Sequence, residues 1–456
     1  MKKISISALM LVTLAMQAQI KESTIDELEI KGRAKVKKER AEFSRHAQSV
    51  ETLSEEELNR NNPMMIDQTL STMAGVQVDK RTNLGGQRIV LRGYGNDQKF
   101  NNWGLKMYLN GVPITNADGV TILEDLDFSL VNNVEVIKGP ASTLYGSGVG
   151  GAVRFYMRPS TVKGTSVTEK LTFGSFNHFQ SQTKLENVTE NASVMFSYNH
   201  LESDGYRPAG SSLKNNYAFL GNFKISPKQN VTVYAAHNNS YEAVAGQISY
   251  ADYYAGIDPG NTAYMRKDAG NKFLSSRASI MHSWNLTESL TNYTSIFFSH
   301  LDSKRVAAGA FENSQSPNYG FRTVFNWRTK FSENFSQHLE FGAEYLASKS
   351  QISNYRFTGS ITNPREVQSI DKGSYFNYKN NANTIFAVER LTYIPINLTL
   401  LLGVSTNGTS YNREDLLALK GLAPNYNKDL SFSKKYGTVV TPHIALQKLW
   451  KNQIFN

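Results

Sequence analysis

Hydrophobic and polar residues alternate along the second half of the chain. In residues 339–345, one face holds the apolar Leu339, Phe341, Ala343 and Tyr345, and the other holds Glu340 and Glu344. Segments 321–328 and 398–404 repeat this pattern. Successive side chains of a β-strand point to opposite faces, so a period of two predicts strands. Residues 161–456 are therefore predicted to form about twelve strands, each weakly marked on its own.

The connections between these segments alternate in length. The short ones are Asn187–Asn191, Ser226–Gln229, Asn285–Ser289, Ser332–Phe335 and Pro395, and the long ones are Glu202–Ser212, Ser240–Lys272, Leu301–Asn318, Lys349–Asn380 and Asn407–Lys435. Short turns at one end and long loops at the other are typical of a transmembrane antiparallel β-barrel. We predict an all-β barrel of this kind.

Residues 49–160 have a mixed pattern that predicts a small α+β domain. Ser54 followed by three glutamates indicates a helix start. In 63–73, the apolar Met65, Ile66, Leu70 and Met73 recur at helical spacing. Strands are predicted at 75–78, 88–93 and 106–114, the last with a tight turn at Asn110-Gly111.

The stretch Val134–Phe155 combines two strands with a glycine cluster. Gly146, Gly148 and Gly151 have the spacing G-x-G-x-x-G of dinucleotide-binding loops. That fingerprint needs a strand directly before the glycines and a helix directly after them. Here the strand ends too early, and the residues that follow alternate like a strand. Tight turns and close backbone packing are the better interpretation.

The sequence EVIKGPASTLYGSGVGGAVRF resembles the signature that closes the plug domain of TonB-dependent outer-membrane receptors. The resemblance extends over Leu53–Arg158. Its signature positions are Arg92, Gly93, Gly111, Gly139, Pro140, Tyr145, Gly146, Gly150 and Gly151. Asn110 departs from the aspartate common in the family. The resemblance implies an N-terminal α+β plug at 49–160 inside a barrel at 161–456. It also implies that the chain is similar to ferric-siderophore receptors.

The N-terminus predicts export. Lys2 and Lys3, the apolar run 4–16 and small residues up to Ala18 describe a signal peptide at 1–18. Residues 19–48 then hold a short alternating segment and a basic linker. Such a segment can add as an edge strand to a partner sheet. The resemblance implies that Ile25, Asp26, Glu27, Leu28, Glu29 and Ile30 form the TonB box, which engages the energy transducer and its inner-membrane motor proteins.

Composition excludes several function classes. The chain has 456 residues, a net charge of +10, no cysteine and eight histidines. No thiolate metal site is possible, and the scattered histidines show no metal-ligand spacing. No basic run joins a nucleic-acid-binding motif, so the charge indicates a basic lumen or surface. No nucleophile-elbow motif or motif-placed carboxylate pair is present. We therefore expect no enzyme, no cofactor, no resident metal and no nucleic-acid partner.

The expected function is active uptake in the cell outer membrane, in contact with its lipid. A ferric siderophore or another iron complex is the favoured ligand, with cobalamin or haem as alternatives. A passive channel or adhesin would not need both a plug and a TonB box. Tyr94, Lys99, Phe100 and Trp103 in the first plug loop suit an anionic, aryl-bearing chelate, as do four loop tyrosines at Tyr241, Tyr250, Tyr253 and Tyr254. Packing within the loops or an interfacial aromatic girdle would explain these aromatics equally well.

The strand count predicts an incomplete receptor. Plugged transporters have about 22 strands, because a smaller barrel lacks room for a folded plug. The last predicted strand, near Tyr436–Leu449, runs into a turn at 450–453. Relatives also tend to end on a strand with a terminal aromatic. We therefore expect a partial barrel, about 12 of about 22 strands, from a fragment or a broken gene.

Overall fold

A computed structural model describes residues 49–61, 66–82, 85, 87–96, 102–139, 146, 148–357, 373–419, 429–450 and 453–455. The predicted signal peptide, the segment Ile25–Ile30 and the basic linker lie outside these residues. So do Lys99, Phe100, Pro140 and Tyr145.

The N-terminal part of the described chain is an α+β domain, here called the plug. Its elements are β1 Ser49–Ser54, α1 Glu55–Leu58, α2 Ile66–Leu70, β2 Val76–Asp79, β3 Arg88–Leu91, β4 Leu105–Leu109, β5 Val112–Pro113, a 3₁₀ helix Phe128–Leu130, β6 Val131–Lys138 and β7 Gly151–Met157. Five strands form one sheet in the order β1-β6-β7-β4-β5, and β2 pairs with β3. Only β4 and β7 pair in parallel among the described plug strands.

The plug's first elements follow the predicted pattern with shorter bounds. The carboxylate of Glu57 accepts hydrogen bonds from Ser54 N and Oγ, at 2.9 and 2.8 Å, which fixes the start of α1. The second helix ends at Leu70, before the predicted end at Met73, because the chain turns at Thr72, whose hydroxyl donates to the carbonyl of Thr69. Strand β1 is not predicted by the sequence, since its residues are half-buried and do not alternate clearly.

The plug has a continuous apolar core that extends to the barrel wall. Ile89, Leu91, Met107, Leu123 and Val136 are fully buried at its centre. The same cluster includes the barrel residues Met195, Ala218, Leu220 and Tyr234. The plug therefore packs directly against one side of the barrel.

The rest of the described chain forms one antiparallel sheet. Its strands are β8 Gly164–Gly174, β9 His178–Val188, β10 Ala192–Ser203, β11 Ser212–Ser226, β12 Gln229–Ala243, β13 Gly270–Asn285, β14 Leu290–Val306, β15 Ala310–Lys330, β16 Phe335–Arg356, β17 Ser374–Tyr393, β18 Leu398–Asp415, β19 Phe432–Trp450 and β20 Gln453–Phe455. Each strand pairs with its neighbour in sequence. Within the described residues, β8 and β20 end the sheet without pairing to each other. The predicted series of about twelve strands corresponds to β8–β19, and β20 adds a short thirteenth.

The connections alternate in length as predicted, except that 175–177 and 307–309 are short turns at the end of the sheet that carries the long connections. Short turns lie at 189–191, 227–228, 286–289, 331–334 and 394–397, and longer connections at 204–211, 244–269, 357–373 and 416–431. The predicted long loop Leu301–Asn318 is wrong, since β14 and β15 pair up to Val306 and Phe311 across a three-residue turn. Both faces of this hairpin carry polar side chains, so the period of two is not visible there. The loop 244–269 also holds two short helices, α3 Tyr250–Tyr254 and α4 Thr262–Lys267.

The two faces of the barrel sheet differ in chemistry. Phe321, Trp327 and Phe341 are exposed on the outer face. Cross-strand ring pairs strengthen this face, with the centroids of Phe325 and Phe341 5.1 Å apart. Arg322 and Glu344 point inward and are buried against the plug. Across the part of the chain that the structure describes, no helix is both long and apolar enough to cross a membrane.

A small helix, α5 Leu416–Leu419, follows β18. Asp415 caps it by accepting hydrogen bonds from the amides of Leu417 and Ala418, at 3.0 and 3.2 Å.

Candidate functional site

The first plug loop begins with a tight turn between β3 and Tyr94. Leu91 and Tyr94 exchange two backbone hydrogen bonds of 3.0 and 2.9 Å around Arg92 and Gly93. Both central residues have positive φ, 48° and 87°. This geometry is that of a type I′ turn, which favours glycine at the second position. The Arg-Gly pair therefore sets the direction in which the loop leaves the sheet.

Asn102 holds the far end of this loop. Its side chain accepts from Ile89 N at 2.7 Å and donates to the carbonyls of Gln87 and Thr121, at 2.8 and 3.3 Å. It is only 1% exposed. One amide thus joins β3 to both plug loops, 94–104 and 115–120, since Thr121 directly follows the second loop.

The two described aromatic residues of the predicted ligand set reach the surface of the plug. Tyr94 and Trp103 are 52% and 47% exposed. The Trp103 indole lies over Gly119, where an added Cβ would be 3.1 Å from Nε1. Tyr94 lies over Gly150 in the same way, so the signature glycine leaves room for the ring. The structure brings Tyr94 and Trp103 to the plug loops, while Lys99 and Phe100 lie outside the described residues.

The four predicted loop tyrosines do not form one group. Tyr250, Tyr253 and Tyr254 lie on α3 and are 68–83% exposed. Tyr241 lies within β12, opposite Leu213 and Lys272. An ion pair between Arg207 and Asp258 links the loops 204–211 and 244–269, with Arg207 Nη2 3.2 Å from Asp258 Oδ1. This hydrogen bond holds the pKa of Asp258 below its ordinary value.

A buried ion cluster joins the plug to the barrel wall, and we call it the ion cluster. Lys106 Nζ on β4 lies 2.7 Å from Glu344 Oε1, and Arg322 Nη1 lies 2.8 Å from Oε2. Tyr108 donates its hydroxyl to the same carboxylate at 3.1 Å. The side chains of Lys106, Glu344 and Arg322 are 3%, 2% and 8% exposed. One carboxylate therefore balances two buried cations.

Apolar contacts surround the ion cluster. The Arg322 guanidinium lies 5.1 Å from the ring centroid of Tyr108 and 4.9 Å from that of Phe386. Phe386 belongs to a buried apolar group with Ile137 and Ala152 of the plug. This low-dielectric setting strengthens the pairing and makes an unpaired charge there costly.

Where the plug faces β10–β13, polar contacts accompany the apolar ones. Arg277 Nε of β13 lies 2.6 Å from Asp125 Oδ2, and Lys214 donates to the carbonyl of Leu126 at 3.0 Å. Asp127 accepts from Asn199 at 3.1 Å and from Ser129 N at 3.1 Å. Burial raises the pKa of Asp127. The segment 124–129 is thus tied to β10, β11 and β13 by side chains.

A small cavity of about 40 Å³ lies between the β4–β5 hairpin and the barrel wall. Its lining includes Pro113, Asn116, Tyr234, Arg277 and Asn318. The plug is therefore fixed at two sides of the lumen, with an incompletely filled space between them.

Sequence reasoning missed the residues that fix the plug. Glu344 is visible as an acidic residue within an alternating strand, opposite the apolar face. Its partner Lys106 lies more than two hundred positions away, so spacing could not join them. Asn102 gives no signal at all, since an asparagine in a polar loop is ordinary.

Residues 43–153 match the TonB-dependent Receptor Plug Domain. This part of the chain is therefore similar to the plug domain of TonB-dependent receptors.

Solved structures of receptors share this fold. The ferric citrate transporter FecA in its unliganded form matches with a TM-score of 0.72 and 12% identity, over 91% of this chain and 62% of that one. The siderophore receptor PiuA from Acinetobacter baumannii matches with 0.69 and 13%, over 89% and 63%. The copper transporter OprC matches with 0.67 and 13%, over 88% and 61%.

This chain thus spans about 62% of the length of the ferric citrate transporter. At these identities the likeness shows the fold of the receptor and leaves its ligand open.

Proposed function

We propose that this protein takes up a scarce solute actively through the outer membrane, with energy from TonB. The observation that carries the proposal is the ion cluster, which holds a folded plug against the inner wall of the barrel. A plug fixed by buried charges blocks passive flow, so solute passage needs work.

The work must be applied to the plug. We propose Ile25–Ile30 as the TonB box, which adds as a strand to the transducer. Strand β1 pairs over its whole length with β6, which ends at the buried Lys138 and leads into the signature glycines. Lys138 Nζ lies 2.8 Å from Glu51 Oε2 of β1. A pull transmitted through β1 would act on this end of the plug first.

An anionic iron chelate is the proposed solute. Tyr94 and Trp103 are exposed on the plug, and Lys99 and Phe100 complete the proposed contact set. The structural neighbours include transporters described for ferric citrate and for copper. Cobalamin and haem remain alternative solutes.

The test is growth and uptake on a panel of metal sources. Cells that depend on the full-length protein are supplied with ferric siderophores, ferric citrate, copper, haem or cobalamin. A variant that lacks Ile25–Ile30 should lose uptake and keep surface binding of the same solute. Uptake that survives this deletion would indicate a passive channel, and binding without any uptake would indicate an adhesin.

A further inference from the structure

Four strands of the barrel sheet carry a lysine at the same distance from the short turns. Each of these lysines lies 13 or 14 residues from the end of its strand that joins a short turn. We call this set the lysine belt, and its members are Lys272 of β13, Lys304 of β14, Lys349 of β16 and Lys379 of β17. All four residues are exposed.

The alternation of side chains places the lysine belt on the outer face of the sheet. Arg277 of β13 reaches the plug at Asp125, and Lys272 is five positions away, so it points to the opposite face. Lys349 is likewise five positions from Glu344, which contacts the plug. Lys304 and Lys379 lie directly opposite these two lysines and share their face.

The lysine belt consists of two pairs of directly opposed lysines. Lys272 pairs with Lys304, and Lys349 pairs with Lys379. Opposed residues have Cβ atoms about 4.5–5.5 Å apart, and like charges in this arrangement are destabilising. None of the four lysines has an ion pair within the described residues. An anion between the two ammonium groups of a pair would relieve this repulsion.

The two acidic residues next to the lysine belt have other partners. Asp302, two positions before Lys304, has its Oδ1 3.2 Å from His300 Nε2. Glu414 of β18 accepts a hydrogen bond from Asn377 at 3.0 Å. Neither carboxylate therefore forms an ion pair with the belt.

The distance along the strands gives the height of the lysine belt in a membrane. Exposed aromatic residues at the short-turn ends, Trp284, Trp327 and Phe335, mark the opposite interface. Fourteen residues of a strand span about 48 Å, or about 37 Å along the membrane normal at a tilt of about 40°. The hydrocarbon core is about 30 Å thick, and the bilayer with its headgroups is about 40–45 Å thick. The belt thus lies beyond the core, at the height of the headgroups of the outer leaflet.

We infer that the lysine belt binds the phosphate groups of outer-leaflet lipids, with one phosphate between the two lysines of each pair. The inference rests on the proposed function, because it requires the barrel sheet to span the outer membrane. A phosphate monoester carries a charge of about −1.5 to −2 near neutral pH and three acceptor oxygens, so it can bridge two ammonium groups. Exposed apolar side chains nearer the short turns, such as Ile280, Phe298 and Ile385, would contact the acyl chains.

The experiment measures lipid binding by the full-length protein in a neutral detergent, with native mass spectrometry as the readout. The probes are phosphatidic acid, which has a phosphate monoester, phosphatidylcholine, whose headgroup has no net charge, a free fatty acid and inorganic phosphate. The wild type should bind two molecules of phosphatidic acid more tightly than any other probe. The double variants Lys272→Gln/Lys304→Gln and Lys349→Gln/Lys379→Gln should each weaken one of these two sites about tenfold, a loss typical of charge-assisted contacts.

Two further double variants are the controls. Lys228→Gln/Lys330→Gln removes two exposed lysines at the short-turn end of the sheet, so it loses the same charge and should bind phosphatidic acid like the wild type. Lys349→Arg/Lys379→Arg keeps both charges and should keep both sites. The belt lysines make no hydrogen bond within the described residues, so their replacement tests charge without loss of structure. Heat-modifiable migration checks that each variant forms a barrel.

The outcomes separate the inference from the proposed function. Unchanged binding of phosphatidic acid in both glutamine variants of the belt overturns the inference, and so does equal weakening in Lys228→Gln/Lys330→Gln. Equally tight binding of the fatty acid or of inorganic phosphate to the belt would show that a lipid phosphate is not the ligand. These results leave the proposed function standing, because the dependence of uptake on Ile25–Ile30 is measured separately. If the full-length protein does not insert into the outer membrane, both proposals fail.

Discussion

Replacing Glu344 by glutamine removes the only carboxylate of the ion cluster while keeping the size of the side chain. Lys106 and Arg322 then stay buried against the plug without this carboxylate. At an effective dielectric constant of about 20, each contact near 2.7 Å is an attraction of about 6 kcal/mol. Relaxation and water entry reduce the net loss, and breaking a buried pair typically costs about 3–5 kcal/mol.

This loss should appear in the docking of the plug. A cost of about 3–5 kcal/mol lowers the ratio of docked to undocked plug by two to more than three powers of ten. In planar bilayers, Glu344→Gln should therefore open conducting pores at a lower urea concentration than the wild type. The plug should also become sensitive to protease at that lower concentration.

Two further variants test the cause. Glu340 lies on the same strand and inner face as Glu344, and it has no ion pair among the described residues. The control variant Glu340→Gln should therefore not change pore opening. Adding Lys106→Met to Glu344→Gln leaves one buried cation instead of two, and it should recover more than half of the loss. If the Glu344→Gln and Glu340→Gln variants open conducting pores at the same urea concentration, the ion cluster does not hold the plug.

Four other perturbations test separate features. Gly151→Ala should destabilise the plug by about 2 kcal/mol or more, because the added Cβ would lie 2.2 Å from the Ile137 carbonyl oxygen and the residue has a φ of 141°. Thermal unfolding measures this loss, and Gly309→Ala is the control, because the space around Gly309 is open. Replacing Lys99 and Trp103 by alanine should weaken ligand binding about tenfold without reducing barrel assembly, and unchanged affinity would mean that the loop is structural. Leu28→Pro removes a backbone donor from the proposed strand, so transport should fall sharply while surface binding persists, and normal transport would reject the TonB-box assignment. The hydrogen bond from Arg207 lowers the pKa of Asp258 from its ordinary value of 3.8. The ion pair between the two loops is therefore complete above pH 3.8 and is lost as the pH falls through the lowered pKa. Hydrogen exchange in 244–269 should rise at low pH in the wild type and should be fast at every pH in Arg207→Gln.

The sequence predicts the architecture because its signals are local. Alternation in segments such as 339–345 is a property of neighbouring residues, and so is the Asn110-Gly111 turn between β4 and β5. Both central residues of that turn have positive φ, 49° and 81°, which asparagine and glycine tolerate. The glycine cluster before β7 also keeps its predicted character, since Gly151 leaves no space for a Cβ.

The candidate site is less predictable because its contacts are distant. Lys106 lies on the plug and Glu344 on the barrel wall, so only the folded structure brings the two together. The hairpin β14–β15 was not predicted for another reason, because a strand with water on both faces needs no alternation of apolar and polar residues.

Strands β14, β15 and β16 have 17, 21 and 22 residues. A tilted strand crosses the hydrocarbon layer in about 9–11 residues, so roughly half of β16 continues beyond it. Beyond the hydrocarbon layer, the wall formed by β14, β15 and β16 thus consists of paired strands with fixed backbones rather than of free loops. A ligand that lands there has little chain to order, which lowers the entropic cost of association. At these extended strands, the association rate of the proposed solute should be limited by diffusion and charge rather than by the closing of a lid.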